Sequence, residues 1–223
     1  MSEFILGDCN NYLKDFDDNH FDLAVVDPPY GGGNHSMNNL RTGGTWESKY
    51  GKKINEWDTP PDKSYFIELF RVSKNQIIWG ANYFELPPTR CFVILYKPFI
   101  SETFTMSMCE YAWTSFDDNA KLFKWNRKKE DFISRTHPTQ KAISLYTWLL
   151  QNYAKPGDLI LDTHTGSASS LIACEKLGFE YIAYEKDEDY YKAAQQRLKE
   201  FRMQTDLFKP EVFQEPKQES LDL

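Results

Sequence analysis

The sequence predicts an α/β fold: a Rossmann-like, seven-stranded, mostly parallel sheet with helices on its faces. Three observations predict it. Short strand-like runs alternate with segments of helical periodicity along the chain. The length of 223 residues, with 41% hydrophobic and 16% aromatic residues, suits one domain with a substantial core. Polar motifs stand directly after apolar runs, where open α/β sheets place their ligand sites.

Taken in order, the candidate strands are residues 4–6, 22–26, 76–79, 91–96, 110–113, 159–162 and 181–184. The candidate helices are 63–73, 142–153, 169–177 and 188–203. Gly178 is placed to stop the third helix, and Pro156-Gly157-Asp158 turns the chain into the next strand. Two stretches interrupt the alternation. Residues 31–61 carry Gly31, Gly32, Gly33, Gly43, Gly44 and Gly51 among Asn, Ser and Thr, a loop long enough to be a mobile functional element. Residues 101–135 are aromatic and basic. The division is therefore a single catalytic domain over 1–203 and a polar tail over 204–223.

Composition excludes some classes of function. No apolar run approaches a membrane span, and the first residues lack a secretory pattern, so the expected location is cytoplasmic. Cys9, Cys91, Cys109 and Cys174 are scattered without ligand or disulfide spacing, so neither a metal nor a disulfide is assigned. The net charge of −7 weighs against nucleic-acid binding, but its distribution does not. Residues 119–141 hold seven basic side chains against only Glu130 and Asp131.

The chemistry is carried by Asp27-Pro28-Pro29-Tyr30, which follows the apolar run Phe21-Asp22-Leu23-Ala24-Val25-Val26. Two prolines stiffen the backbone and leave carbonyl oxygens free to accept. Asp27 adds a second acceptor and Tyr30 a flat aromatic surface. This set suits an amino group on a planar ring, whose lone pair is delocalised and poorly nucleophilic. Accepting both of its N–H bonds, at Asp27 and at the Pro28 carbonyl, favours a pyramidal nitrogen, and positioning then does most of the catalysis. Asp27 takes the proton as or after the group is transferred. Tyr30 is expected to stack on that ring, as on a base taken out of a duplex.

The second motif is Leu159-Ile160-Leu161-Asp162-Thr163-His164-Thr165-Gly166-Ser167-Ala168-Ser169-Ser170, read as strand, small-residue loop and helix. It offers backbone N–H groups and a helix N-terminus to an anionic group. Glu185, at the end of the next candidate strand, stands where an acid binds ribose hydroxyls in dinucleotide folds. Thr136-His137-Pro138-Thr139-Gln140-Lys141 precedes the 142–153 helix, whose start it also suits.

Together these motifs resemble the permuted, beta-class family of DNA amino-methyltransferases, over most of residues 4–203. The resemblance implies an S-adenosylmethionine-dependent fold with circularly permuted motif order, catalysis at Asp27, Pro28, Pro29 and Tyr30, and no metal. Leu6-Gly7-Asp8 is similar to the family's opening, which brings Asp8 to the cofactor's adenine. The segment Ile78-Trp79-Gly80-Ala81-Asn82-Tyr83-Phe84 is similar to one in adenine-specific members. His137, Thr139 and Lys141 match a motif that encloses the methionine end, and Asp162, His164, Gly166, Ser167, Ala168 and Glu185 complete the implied cofactor set. The loop departs from the family's Asp-Pro-Phe-x-Gly-x-Gly at Thr163, His164 and Ala168, and a methyl group at Ala168 is expected to crowd the cofactor.

Asp as the first motif residue implies adenine N6 as the target. Cytosine N4 is the alternative, and an idle DNA-binding subunit is the competing class. Residues 101–135 fall where the family reads its target. Lys121, Lys124, Arg127, Lys128 and Lys129, with Arg41, Lys49, Lys52 and Lys53 of the glycine-rich loop, are the expected phosphate contacts to double-stranded DNA. The resemblance also implies a homodimer and a bacterial or phage source. Gln204-Thr205-Asp206-Leu207-Phe208 is similar to the peptide that binds the bacterial sliding clamp.

Overall fold

The computed structural model of the chain describes residues 1–31, 59–104, 107–126 and 140–205. Its centre is an eight-stranded sheet of β1 (Glu3–Leu6), β2 (Phe21–Val26), β3 (Ser73–Trp79), β4 (Phe92–Tyr96), β5 (Cys109–Thr114), β6 (Lys121–Lys124), β7 (Leu159–Asp162) and β8 (Glu180–Glu185). The spatial order is β1-β8-β7-β2-β3-β5-β4-β6. Pairing is parallel from β1 through β3 and between β4 and β6, whereas β5 runs antiparallel to both β3 and β4.

The seven expected strands are all present, and the expected count of seven is corrected to eight by β6. Its burial alternates, with Leu122 and Lys124 outward and Lys121 and Phe123 half-buried. A four-residue edge strand with two lysines carries little apolar signal, which hid it inside the basic segment.

Among the described residues four α-helices cover the sheet: α1 (Lys63–Val72), α2 (Ile143–Tyr153), α3 (Ser169–Leu177) and α4 (Glu188–Thr205). Asp62 caps α1 by accepting from the Ser64 and Tyr65 amides, and Tyr65, Leu69 and Val72 form its buried stripe. The helix stops at Val72, one residue short of expectation, because Ser73 is extended and opens β3. Gly178 adopts φ +76° and closes α3 as expected. Asp187 accepts from the Asp189 and Tyr190 amides at the start of α4.

β2 shows why its sequence is a continuous apolar run. Leu23 and Val25 face a core built with α2, α3 and α4, while Ala24 and Val26 face a second core with Tyr65, Leu69 and Val72 of α1. Among the described residues no helix is long and apolar enough to cross a membrane. Cys9, Cys91 and Cys174 are buried thiols.

Candidate active site

The parallel strands β1, β8, β7, β2 and β3 all end at one edge of the sheet, and each is followed by a singled-out segment. Gly7 and Asp8 follow β1, and Glu185 ends β8. The 163–168 loop follows β7, Asp27 to Tyr30 follow β2, and Gly80 follows β3. β2 and β7 are direct neighbours, with Ala24 opposite Leu161, so the Asp27 turn and the Gly166 loop leave the sheet side by side.

At the tip of β2 both carboxylate oxygens of Asp27 are engaged. The Tyr30 hydroxyl donates to Oδ1 at 2.5 Å, and Lys141 Nζ donates to Oδ2 at 2.5 Å. Burial, and the Asp27 carboxylate beside it, push the Tyr30 phenol well up, so it remains a donor. Tyr30 is held from its other side by the turn after β3. Gly80 has φ +68°, and a Cβ built there would lie 2.0 Å from Tyr30 Cε1. Only glycine allows that approach. The exposed ring of Tyr83 stacks on Tyr30 with centroids 5.0 Å apart and planes 11° apart. One face of the ring expected to meet a base is thus already covered.

Lys141, expected from the resemblance at the cofactor's methionine end, places its ammonium on the Asp27 carboxylate. The same Nζ is 3.2 Å from Glu110 Oε2, and Lys97 Nζ is 2.6 Å from Glu110 Oε1. Burial alone would raise the Glu110 carboxyl, but the Lys141 and Lys97 ammoniums hold it down at about 2. Burial works against the Lys141 charge, yet Asp27 and Glu110 hold its value well above the ordinary lysine range. Lys141 therefore stays a cation and is no base. Lys97 and Glu110 were invisible from sequence. They reach this edge because β5 is antiparallel and begins where β4 ends.

The loop after β7 forms the second half. Burial pushes the Asp162 carboxyl up to about 7, against hydrogen bonds from the Ser170 hydroxyl and the His164 amide, while Asp27 and Glu185 push further upward. Glu185 is likewise raised by burial, although it accepts from the Gly166 amide at 2.8 Å and the Asp187 amide at 2.9 Å. Burial and the charge of Lys186 hold His164 at about 4, so its imidazole is neutral. The ring meets the edge of Tyr65, with centroids 5.4 Å apart. Arg197 of α4 donates to the Ser167 carbonyl at 2.6 Å and to the Ser169 hydroxyl at 2.8 Å, fixing the loop from behind. Ala168 is fully buried with φ +60°, a left-handed residue directly before α3. Asp8 caps a short turn after β1 by accepting from the Asn10 amide, while the Gly7 amide donates to the Glu185 carbonyl.

One polar atom of this loop is left over: the Thr165 hydroxyl is buried and finds no partner among the described residues. A small-residue loop with an unused hydroxyl, two buried carboxylates and a neutral flat ring fits a zwitterionic nucleoside such as S-adenosylmethionine.

Of the residues expected at DNA, Lys121 pairs with Asp118 at 3.3 Å and lies over the Tyr153 ring, and Lys124 is exposed on β6. Arg41, Lys49, Lys52, Lys53, Arg127, Lys128 and Lys129 lie outside the described residues, as do His137 and Thr139 and the Asp206 to Phe208 part of the clamp-like peptide.

The N6/N4 DNA methylase family model matches residues 78–196. Among curated proteins the chain is 28% identical over 217 residues to "Putative methylase YubD" of Escherichia coli (strain K12), covering 89% of this chain and 90% of that one. Solved structures share the fold. TTHA0409 of Thermus thermophilus, complexed with S-adenosyl-L-methionine, superposes with a TM-score of 0.54 at 18% identity, over 96% of this chain and all of that one. The cytosine-N4-specific PvuII DNA methyltransferase gives 0.58 at 11% identity, over 95% and 94% of the two chains. With the family model spanning more than half of its length, from β3 into α4, this chain belongs to the N6/N4 DNA methylase family.

Proposed function

We propose that this DNA methyltransferase transfers a methyl group from S-adenosylmethionine to the N6 amino group of adenine in double-stranded DNA. The observation that carries the reading is the fixed Asp27 carboxylate at the tip of β2, beside the loop that follows β7. The cofactor supplies an electrophilic methyl group. Asp162, His164, Gly166, Ser167, Ala168 and Glu185, with Asp8 across the β1–β8 edge and the Thr165 hydroxyl, which has no partner among the described residues, would hold it.

Asp27 is the acceptor for one amino N–H. Its two occupied oxygens each retain a lone pair, because an ionised carboxylate accepts up to about four hydrogen bonds. Pro28 presents its carbonyl to the second N–H. With both N–H bonds held, the nitrogen lone pair turns out of the ring plane toward the β7 loop. Tyr30, fixed by its hydrogen bond to Asp27, supports the base, and Tyr83 must slide or share the stack as the base enters. Once the methyl group has moved, the amino proton becomes acidic and passes to Asp27 and then to solvent. Lys124, with the basic residues of 31–61 and 127–129, supplies phosphate contacts.

The test is tritiated methyl transfer to unmethylated DNA followed by nucleoside analysis. The expected product is N6-methyladenine, lost in Asp27→Ala. N4-methylcytosine would move the target to cytosine, and no product on any DNA would reject the activity.

A further inference from the structure

Lys141 has two counterions, and only one of them belongs to the catalytic motif. The four charges form an alternating row, Lys97, Glu110, Lys141 and Asp27, with contacts of 2.6, 3.2 and 2.5 Å. Both lysine side chains are buried, at 9% and 5% exposure, while Glu110 and Asp27 are part-buried at 28% and 15%. Its members come from separate elements. β4 leads into Lys97, β5 begins with Cys109 and Glu110, and β2 leads into Asp27 and Tyr30. The Trp79 ring of β3 lies 5.2 Å from Lys141 Nζ, and Tyr146 of α2 adds its field.

A single pair would be enough to neutralise Lys141 at rest. It would fail during turnover, when Asp27 accepts the amino proton and becomes neutral. At that moment a buried ammonium with no other partner would resist, because an uncompensated buried charge is strongly unfavourable. We propose that Glu110, braced by Lys97, is a positioning residue that supplies Lys141 with a second counterion, so that Asp27 can gain and lose a proton without Lys141 moving or deprotonating. The proposal rests on the methyltransferase reading for its catalytic consequence but not for its electrostatics. The direction is fixed by charge. Without Glu110, Lys141 clings harder to the Asp27 carboxylate, making Asp27 a poorer proton acceptor, and Lys141 itself gives up its proton more easily.

The experiment uses the full chain labelled with 15N in its lysine side chains, as wild type, Glu110→Gln, Glu110→Asp and Lys97→Met. In the cofactor-free protein, with Asp27→Asn standing for the protonated Asp27, the Lys141 ammonium is expected to titrate at least about one pH unit lower when Glu110→Gln is added, with Glu110→Asp between them. In single-turnover methyl transfer Glu110→Gln is expected to be slower by about tenfold or more, with cofactor and DNA affinities within about threefold. Lys97→Met, which keeps most of the packing volume, is expected to slow the step less; it carries the test if Glu110→Gln does not fold. Unchanged Lys141 titration, or an unchanged single-turnover rate, overturns the proposal. If the wild type methylates no DNA, the proposed function fails, while the lysine titration still decides whether Glu110 clamps Lys141.

Discussion

At the scale of single residues, Ala168 shows how a departure from a family pattern can be legible while its physical meaning is not. In sequence its methyl group is expected to crowd the cofactor. The structure shows a separate cost in the backbone: at φ +60° the residue is left-handed, a conformation that costs a residue with a Cβ about 1 kcal/mol and glycine nothing. Ala168→Gly is therefore expected to stabilise the cofactor-free protein by at most roughly 0.5 kcal/mol, after the greater freedom of glycine in the unfolded chain is deducted. That corresponds to a melting temperature higher by about 1–2 °C. A lower melting temperature would show that the buried methyl group contributes more packing than its backbone costs. Thr165 makes the complementary point. A threonine in a small-residue loop carries no signal in sequence, and only its hydroxyl, without a partner among the described residues, singles it out.

Among elements, the strands that follow apolar alternation were readable, as were the helices with stripes at helical spacing, and so were Asp27 and the β7 loop that hang from their ends. What escaped was orientation. Nothing in Cys109-Glu110-Tyr111-Ala112-Trp113-Thr114 says that β5 runs against its neighbours, yet that reversal alone brings Glu110 to the edge where β4 delivers Lys97. The turn after β3 is legible as a motif, but its function as a seat for Tyr30 follows only from the fold. Gly80→Ala tests that seat. The new methyl group would overlap the Tyr30 ring and force a left-handed alanine, so Tyr30 must leave its place on Asp27. Methyl transfer is expected to fall by about tenfold or more, as when a positioned group is displaced by an ångström. Far-ultraviolet circular dichroism is expected to stay at the wild-type level. Full activity would show that Tyr30 is not held by this turn.

At the level of the whole molecule, the site leaves a mark on stability. Asp162 is raised from its ordinary 3.8 to about 7, so its contribution is full below about 4 and is lost as the pH rises through 7. His164 runs oppositely: lowered from 6.5 to about 4, it contributes fully above 6.5, and that contribution is lost as the pH falls toward 4. The two largely cancel between these limits, and above 6.5 only Asp162 acts. Asp162→Asn, which has no such titration, is expected to gain on the wild type between pH 5 and pH 8, by on the order of 2–3 kcal/mol in the cofactor-free protein. Urea midpoints at the two pH values measure the gain, and an equal difference at both would exclude the raised carboxyl.

The pairing of β2 with β7 has a further consequence for how the molecule is assembled. Leu23 meets Ile160 and Ala24 meets Leu161 across more than half of the chain, and β1 waits for β8 in the same way. These ladders cannot zip from a local hairpin; each must close a very large loop, which makes this half of the sheet slow to form. Until it does, β2 bares one flank of an apolar ribbon ending in the reactive turn, an adhesive edge for other unfinished chains.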